Sequence, residues 1–118
     1  MDIESVRAYC LSFPHVTEVI LWENDLVFKI GGKMFAVIGL ESASDHCLSF
    51  KCTPEEFATL TERASVIPAP YMARAHWVSL ETEDAMTPAE IKRGIRQSYD
   101  LVFAKLPKKT QAKLGATS

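Results

Sequence analysis

The chain has 118 residues, 47% apolar and 24% charged, with 13 Lys and Arg against 15 Asp and Glu for a net charge of −2. That length fits one domain, which buries roughly two-thirds of its unfolded surface and needs no disulfide or metal to hold a core. A pI near 5.9 is far from the basic footprint of a nucleic-acid-binding domain, and no apolar run approaches the ~20 residues of a membrane span.

Asp2 can cap a first helix that places Ile3, Val6, Tyr9, Cys10 and Phe13 on one face, and Pro14 ends it. Strand material follows at 17–22 and 26–30, around a polar Glu23-Asn24-Asp25 turn. Gly31-Gly32 separates Leu-Val-Phe-Lys-Ile from Lys-Met-Phe-Ala-Val-Ile. Two glycines between apolar runs predict a tight hairpin, since both turn positions can take positive φ. A polar turn at 42–45 leads to a fourth strand at 46–52.

Thr53-Pro54-Glu55-Glu56 and Thr87-Pro88-Ala89-Glu90 are matching helix starts, with Thr at N-cap, Pro at N1 and Glu at N3. The second helix is predicted to reach Ala64, with Phe57 and Leu60 inward. The third is predicted to reach Leu106 before Pro107, with Ile91, Ile95, Tyr99, Val102, Phe103 and Leu106 inward. Between them a fifth strand is predicted at 76–81. The order is α-β-β-β-β-α-β-α, an α+β fold with a single antiparallel sheet of about five strands and helices packed against it. One domain spans 1–107, and 108–118 reads as a basic, polar, frayed tail.

Charge is unevenly placed. Residues 1–90 hold 6 basic and 14 acidic groups, a net of −8, whereas 91–118 hold 7 basic groups and Asp100, a net of +6. Asp2 and Glu4 precede any basic residue, unlike a secretory signal, so a cytoplasmic address is expected. Cys10, Cys47 and Cys52 lack metal-binding spacing, and on one strand Cys47 and Cys52 would point to opposite faces. All three read as reduced thiols. His15, His46 and His76 fall on separate elements, no metal or cofactor motif occurs, and no catalytic residue is assigned.

The stretch 68–80 concentrates Tyr71, Arg74, His76 and Trp77 beside a rigid Pro-Ala-Pro bend. Strand alternation sets Val78 and Leu80 on the apolar side and makes Trp77 the outward ring. These four residues form a candidate surface for a small ligand or a protein partner.

The blocks Trp22, Lys29-Ile-Gly-Gly-Lys-Met-Phe-Ala, Leu48-Ser-Phe-Lys-Cys-Thr-Pro-Glu, Pro70-Tyr71, Arg74, Trp77, Gln97-Ser-Tyr-Asp-Leu-Val and Lys105-Leu-Pro-Lys-Lys together resemble the MmcQ/YjbR family of small bacterial proteins. The resemblance implies a CyaY-like or secretion-chaperone-like fold and a double-wing role in binding duplex DNA, without catalytic residues. It makes the Gly31-Gly32 hairpin one wing, with Lys29 and Lys33, and sets the link bearing Arg74 near the other. Lys92, Arg93 and Arg96 on the third helix complete the candidate DNA-binding set. Two readings stay open: a DNA-binding module, and a non-catalytic small-ligand or protein-interaction domain.

Overall fold

The computed structural model describes residues 1–21, 24–40, 47–70 and 72–115. The readings attached to Trp22, Glu23, His46 and Tyr71 lie outside the described residues. Asp2 caps α1 (Ile3–Leu11), its carboxylate accepting from the Ser5 amide at 2.8 Å. Four strands follow, β1 (Val16–Leu21), β2 (Asp25–Ile30), β3 (Lys33–Gly39) and β4 (Leu48–Lys51). Then come α2 (Pro54–Leu60), β5 (Val66–Pro68), a 3-10 turn (Ala73–Ala75), β6 (Trp77–Leu80), α3 (Pro88–Ala104) and α4 (Lys108–Gly115).

The strands form one antiparallel sheet in the order β1-β2-β3-β4-β6-β5. The predicted α+β architecture holds, with three differences. A sixth strand, β5, pairs with the far side of β6. Helix α2 stops at Leu60, short of the expected Ala64. The expected tail contains a helix, α4, which folds back so that Gln111 Nε2 donates to the carbonyls of Ala104 and Leu106 and Leu114 reaches the core.

The turn between β2 and β3 is the predicted one, with Gly31 at φ +59 and Gly32 at φ +81. Glycine takes two such values in succession at no steric cost. The reciprocal cap forms at α3: Glu90 N donates to Thr87 Oγ1 at 3.2 Å, and Thr87 N donates to Glu90 Oε1 at 2.9 Å. At α2 the hydroxyl of Thr53 accepts from Glu56 N at 3.2 Å.

Helices α1 and α3 cover one face of the sheet. Val6, Cys10 and Phe13 from α1 and its end meet Phe28, Ile30, Phe35 and Phe50 from the strands and Ile91, Ile95 and Tyr99 from α3. Each such side chain contributes roughly 1.5–3 kcal/mol by leaving water. Gly94 lets α3 settle onto β4, because a Cβ there would lie 2.6 Å from Phe50 Cε2.

The other face carries a smaller cluster of Val27, Val37, Ala69 and Trp77. Alternation along β6 is as expected, but Trp77 is only 4% exposed. Ala69 and Met72 pack over it, with Ala69 N donating to Trp77 O and Trp77 N to Met72 O. The reading of Trp77 as an outward ring is therefore corrected. So is that of Cys47 and Cys52, which both touch the helix-side core. They flank the four-residue β4 rather than lying within it, so strand alternation does not govern them. All three thiols are free, and burial pushes Cys10 and Cys52 up to about 12.

Candidate functional site

The geometry of interest arises where β3 and β4 part. Their pairing runs from Ile38↔Leu48 to Ala36↔Phe50, and β2 and β3 shift register between Phe28 and Lys29. Beyond Ala36 a side chain from α3 replaces the ladder. Ser98 Oγ donates to Phe35 O at 2.6 Å and accepts from Lys51 N at 2.9 Å. Ser98 is fully buried, and its hydroxyl satisfies both strands while holding them apart.

A cleft of ≈ 300 Å³ opens there, lined by Lys33 and Met34 of β3, Lys51 of β4, Trp77 of β6, and Val102 and Lys105 at the end of α3. Lys51 Nζ donates to Ala75 O at 2.7 Å. Desolvation, and then the charge of Lys105, lower the pKa of Lys51. Ion pairs join Arg7 to Glu18, Arg63 to Glu90 and Arg96 to Asp100. None neutralises the three cleft lysines.

Of the residues singled out in the sequence, Lys33 lies in this cleft. Lys29, half-buried opposite Thr17 and Met34, alternates with Phe28 and Ile30 and so belongs to the helix-free face. Arg74 is exposed on the 3-10 turn, next to the Ala75 carbonyl that holds Lys51. Lys92, Arg93 and Arg96 lie elsewhere, exposed on the helical layer. Lys92 Nζ stands 5.6 Å from the Tyr9 ring centroid, and Arg96 sits over Phe13 and pairs with Asp100 at 3.3 Å. Arg93 lines a groove with Glu56 and Glu90. The structure gathers Lys33 with Lys51 and Lys105, and does not gather it with Lys92, Arg93 and Arg96.

His76 and Trp77 meet different surroundings. His76 sits at φ +63 with its ring edge-on to Phe57, centroids 5.5 Å apart. Trp77 is a wall of the cleft rather than a platform on the surface. Lys51 is the residue that the sequence did not single out. Its only local signal is the strand-end position beside Cys52; its neighbours come from elements 26 and 54 residues downstream.

Charge is segregated along the strands. Lys33, Lys51, Arg74 and Lys105 gather at the Gly31-Gly32 end, where Leu106 packs on Gly31 and Lys108 and Lys109 then open α4. The first turn of α2, with Glu55 and Glu56, flanks this end. The opposite end carries Asp2 and Glu4 at the start of α1, and Glu81, Glu83 and Asp84 after β6. There the Met1 amino group lies 3.4 Å from Glu83 O. Among the described residues, no helix is long and apolar enough to cross a membrane and no group of three His, Cys, Asp or Glu could hold a metal ion.

One antiparallel sheet with a helical layer on a single face defines the class, an α+β domain with a basic cleft at one end of its strands. Within that class the chain belongs to the YjbR family, whose model matches residues 11–101. It is similar to the crystal structure of a Deinococcus radiodurans protein with a DUF419 domain, at TM-score 0.82 and 28% identity, over 96% of this chain and 87% of that one. It also shares its fold with a Pseudomonas syringae protein, at TM-score 0.69 and 21% identity, over 86% and 98% of the two chains. No curated protein matches the chain. Blocks distant in the sequence meet at the cleft: Lys33 and Met34 from the hairpin, Lys51 from β4, Trp77, Val102 and Lys105.

Proposed function

We propose that the protein is a non-catalytic cytoplasmic module that binds duplex DNA, seating the phosphate backbone on the basic end of its sheet. The observation that carries this reading is the segregation of charge. A net charge of −2 does not describe a surface on which Lys33, Arg74, Lys105, Lys108 and Lys109 gather at one end while Asp2, Glu81, Glu83 and Asp84 occupy the other. Local positive potential, not net charge, draws a polyanion and releases its counterions. The Gly31-Gly32 hairpin, with Lys29 and Lys33 beside the turn, and the link bearing Arg74 flank this end as the two wings would.

The test is retention on duplex DNA at rising salt. Binding should be measurable at ~50 mM salt and fall steeply by ~200 mM. The double variant Lys33→Gln, Lys105→Gln should weaken it uniformly across sequences. The slope of log affinity against log salt should fall by about 0.9 for each phosphate no longer neutralised. Absence of salt-sensitive binding by the wild type at the lower concentration would remove the DNA reading.

A further inference from the structure

We infer that the cleft between β3 and β4 is a binding site for a small phosphate monoester with an apolar body. The inference goes beyond the DNA reading and stands without it. The opening is built rather than frayed: the bonds that would close it are taken by the buried hydroxyl of Ser98, with Phe35 O on one strand and Lys51 N on the other. Three lysines from three elements surround it, and no described carboxylate pairs with them. Gathering like charges around a recess costs free energy, which an anion seated among them offsets.

The walls then select the kind of anion. Met34, Trp77 and Val102 give the cleft an apolar lining beside its charged groups, suited to an organic body rather than a bare ion. A volume of ≈ 300 Å³ lies at the small end of ligand pockets. It admits a phosphorylated ring or short chain and excludes a duplex. Lys51 spends one of its three N–H donors on Ala75 O, which points the ammonium and leaves two donors for a phosphoryl oxygen. Lys33 and Lys105 at the rim meet the remaining charge. Three cations favour the dianion of a monoester over the single charge of a diester.

Calorimetric titration of the full chain with phenyl phosphate tests this, with phenol and dimethyl phosphate as controls. One phenyl phosphate per chain should bind, and neither control should compete. Affinity should rise from pH 5 to pH 7, as the second phosphate ionisation near ~6 completes the dianion. Lys51→Met should abolish binding, and the exposed Lys105→Gln should weaken it about tenfold, the worth of one charge-assisted hydrogen bond. Circular dichroism identifies any variant that fails to fold, and the Lys105→Gln result then decides alone. No heat and no change in melting temperature at ~10 mM phenyl phosphate, weaker than a specific site requires, would overturn the inference. So would phenol binding equally well, or an affinity unchanged in both variants. Duplex retention separates this from the DNA reading. A protein that holds DNA but not phenyl phosphate loses only the cleft inference, and one that holds phenyl phosphate but not DNA loses only the DNA reading.

Discussion

The two ends of the sheet are built from the same strands and differ in almost every physical respect. At the end where β6 exits, Met1, Ile3, Val6, Ile38, Leu48, Leu80 and Ile91 close on one another and leave only ≈ 10 Å³ of space. At the Gly31-Gly32 end, β3 and β4 are held apart and leave ≈ 300 Å³. The closed end bears carboxylates on its surface, and the open end bears lysines that pair with no described carboxylate. Tight packing therefore goes to one end and clustered positive charge to the other, a division expected where one end stabilises the fold and the other meets a ligand.

The comparison breaks most readily in the core. Ile91→Ala, at the closed end, should destabilise by about 3 kcal/mol, since the tight surroundings cannot collapse into the cavity. Met34→Ala, at the open end, should cost under about 1 kcal/mol, because its side chain already faces free volume. Equal losses in urea unfolding would mean that the ends are packed alike. Ser98→Ala should cost about 2 kcal/mol, as it strips a partner from Phe35 O and Lys51 N together. A wild-type melting temperature would show that the strands close without the hydroxyl.

The turn sharpens the contrast further. Gly31→Val should cost about 2 kcal/mol and Gly32→Val about 1 kcal/mol, since both demand positive φ. The added Cβ at Gly31 would also lie 2.7 Å from Leu106 Cδ1, while that at Gly32 meets nothing within 4 Å. Equal melting temperatures for the two variants would mean that the packing of Leu106 on the hairpin adds no stability. The smallest expected effect concerns pH. The Arg63 guanidinium, followed by the Thr87 amide, holds Glu90 down to about 2. A carboxylate depressed in the folded state stabilises above its unfolded pKa, and that stability fades as pH falls from about 4.5 towards 2. Glu90→Gln should flatten the acid limb of the stability curve in that window, and an unchanged limb would place the acid sensitivity elsewhere.

Local signals made most of the fold legible. Thr53-Pro54 and Thr87-Pro88 announced two helices, and Gly31-Gly32 announced the hairpin, because each acts through its own backbone. Strand β5 was missed: Val66-Ile67-Pro68 is three residues long and becomes a strand only by pairing with β6. Helix α4 was missed because its polar sequence depends on Gln111 and Leu114 docking on what precedes it. Alternation set Trp77 on the correct side, yet could not reveal that Ala69 and Met72 pack over it. Half of the cleft was equally hidden. Lys33 stood out beside a turn, whereas Lys51 matters through a strand separation created by a serine 47 residues away.

That serine also ties the completion of β4 to the third helix. The Lys51 amide has its partner on α3 rather than on a neighbouring strand, so it is satisfied only while the third helix is docked. In the native state the same amide becomes a reporter. Its exchange with solvent follows the detachment of a helix distant in sequence, while the amides of β2 and β3 follow the opening of their own hairpin. A ligand seated beside Lys51 would slow that one amide before any other in the strand.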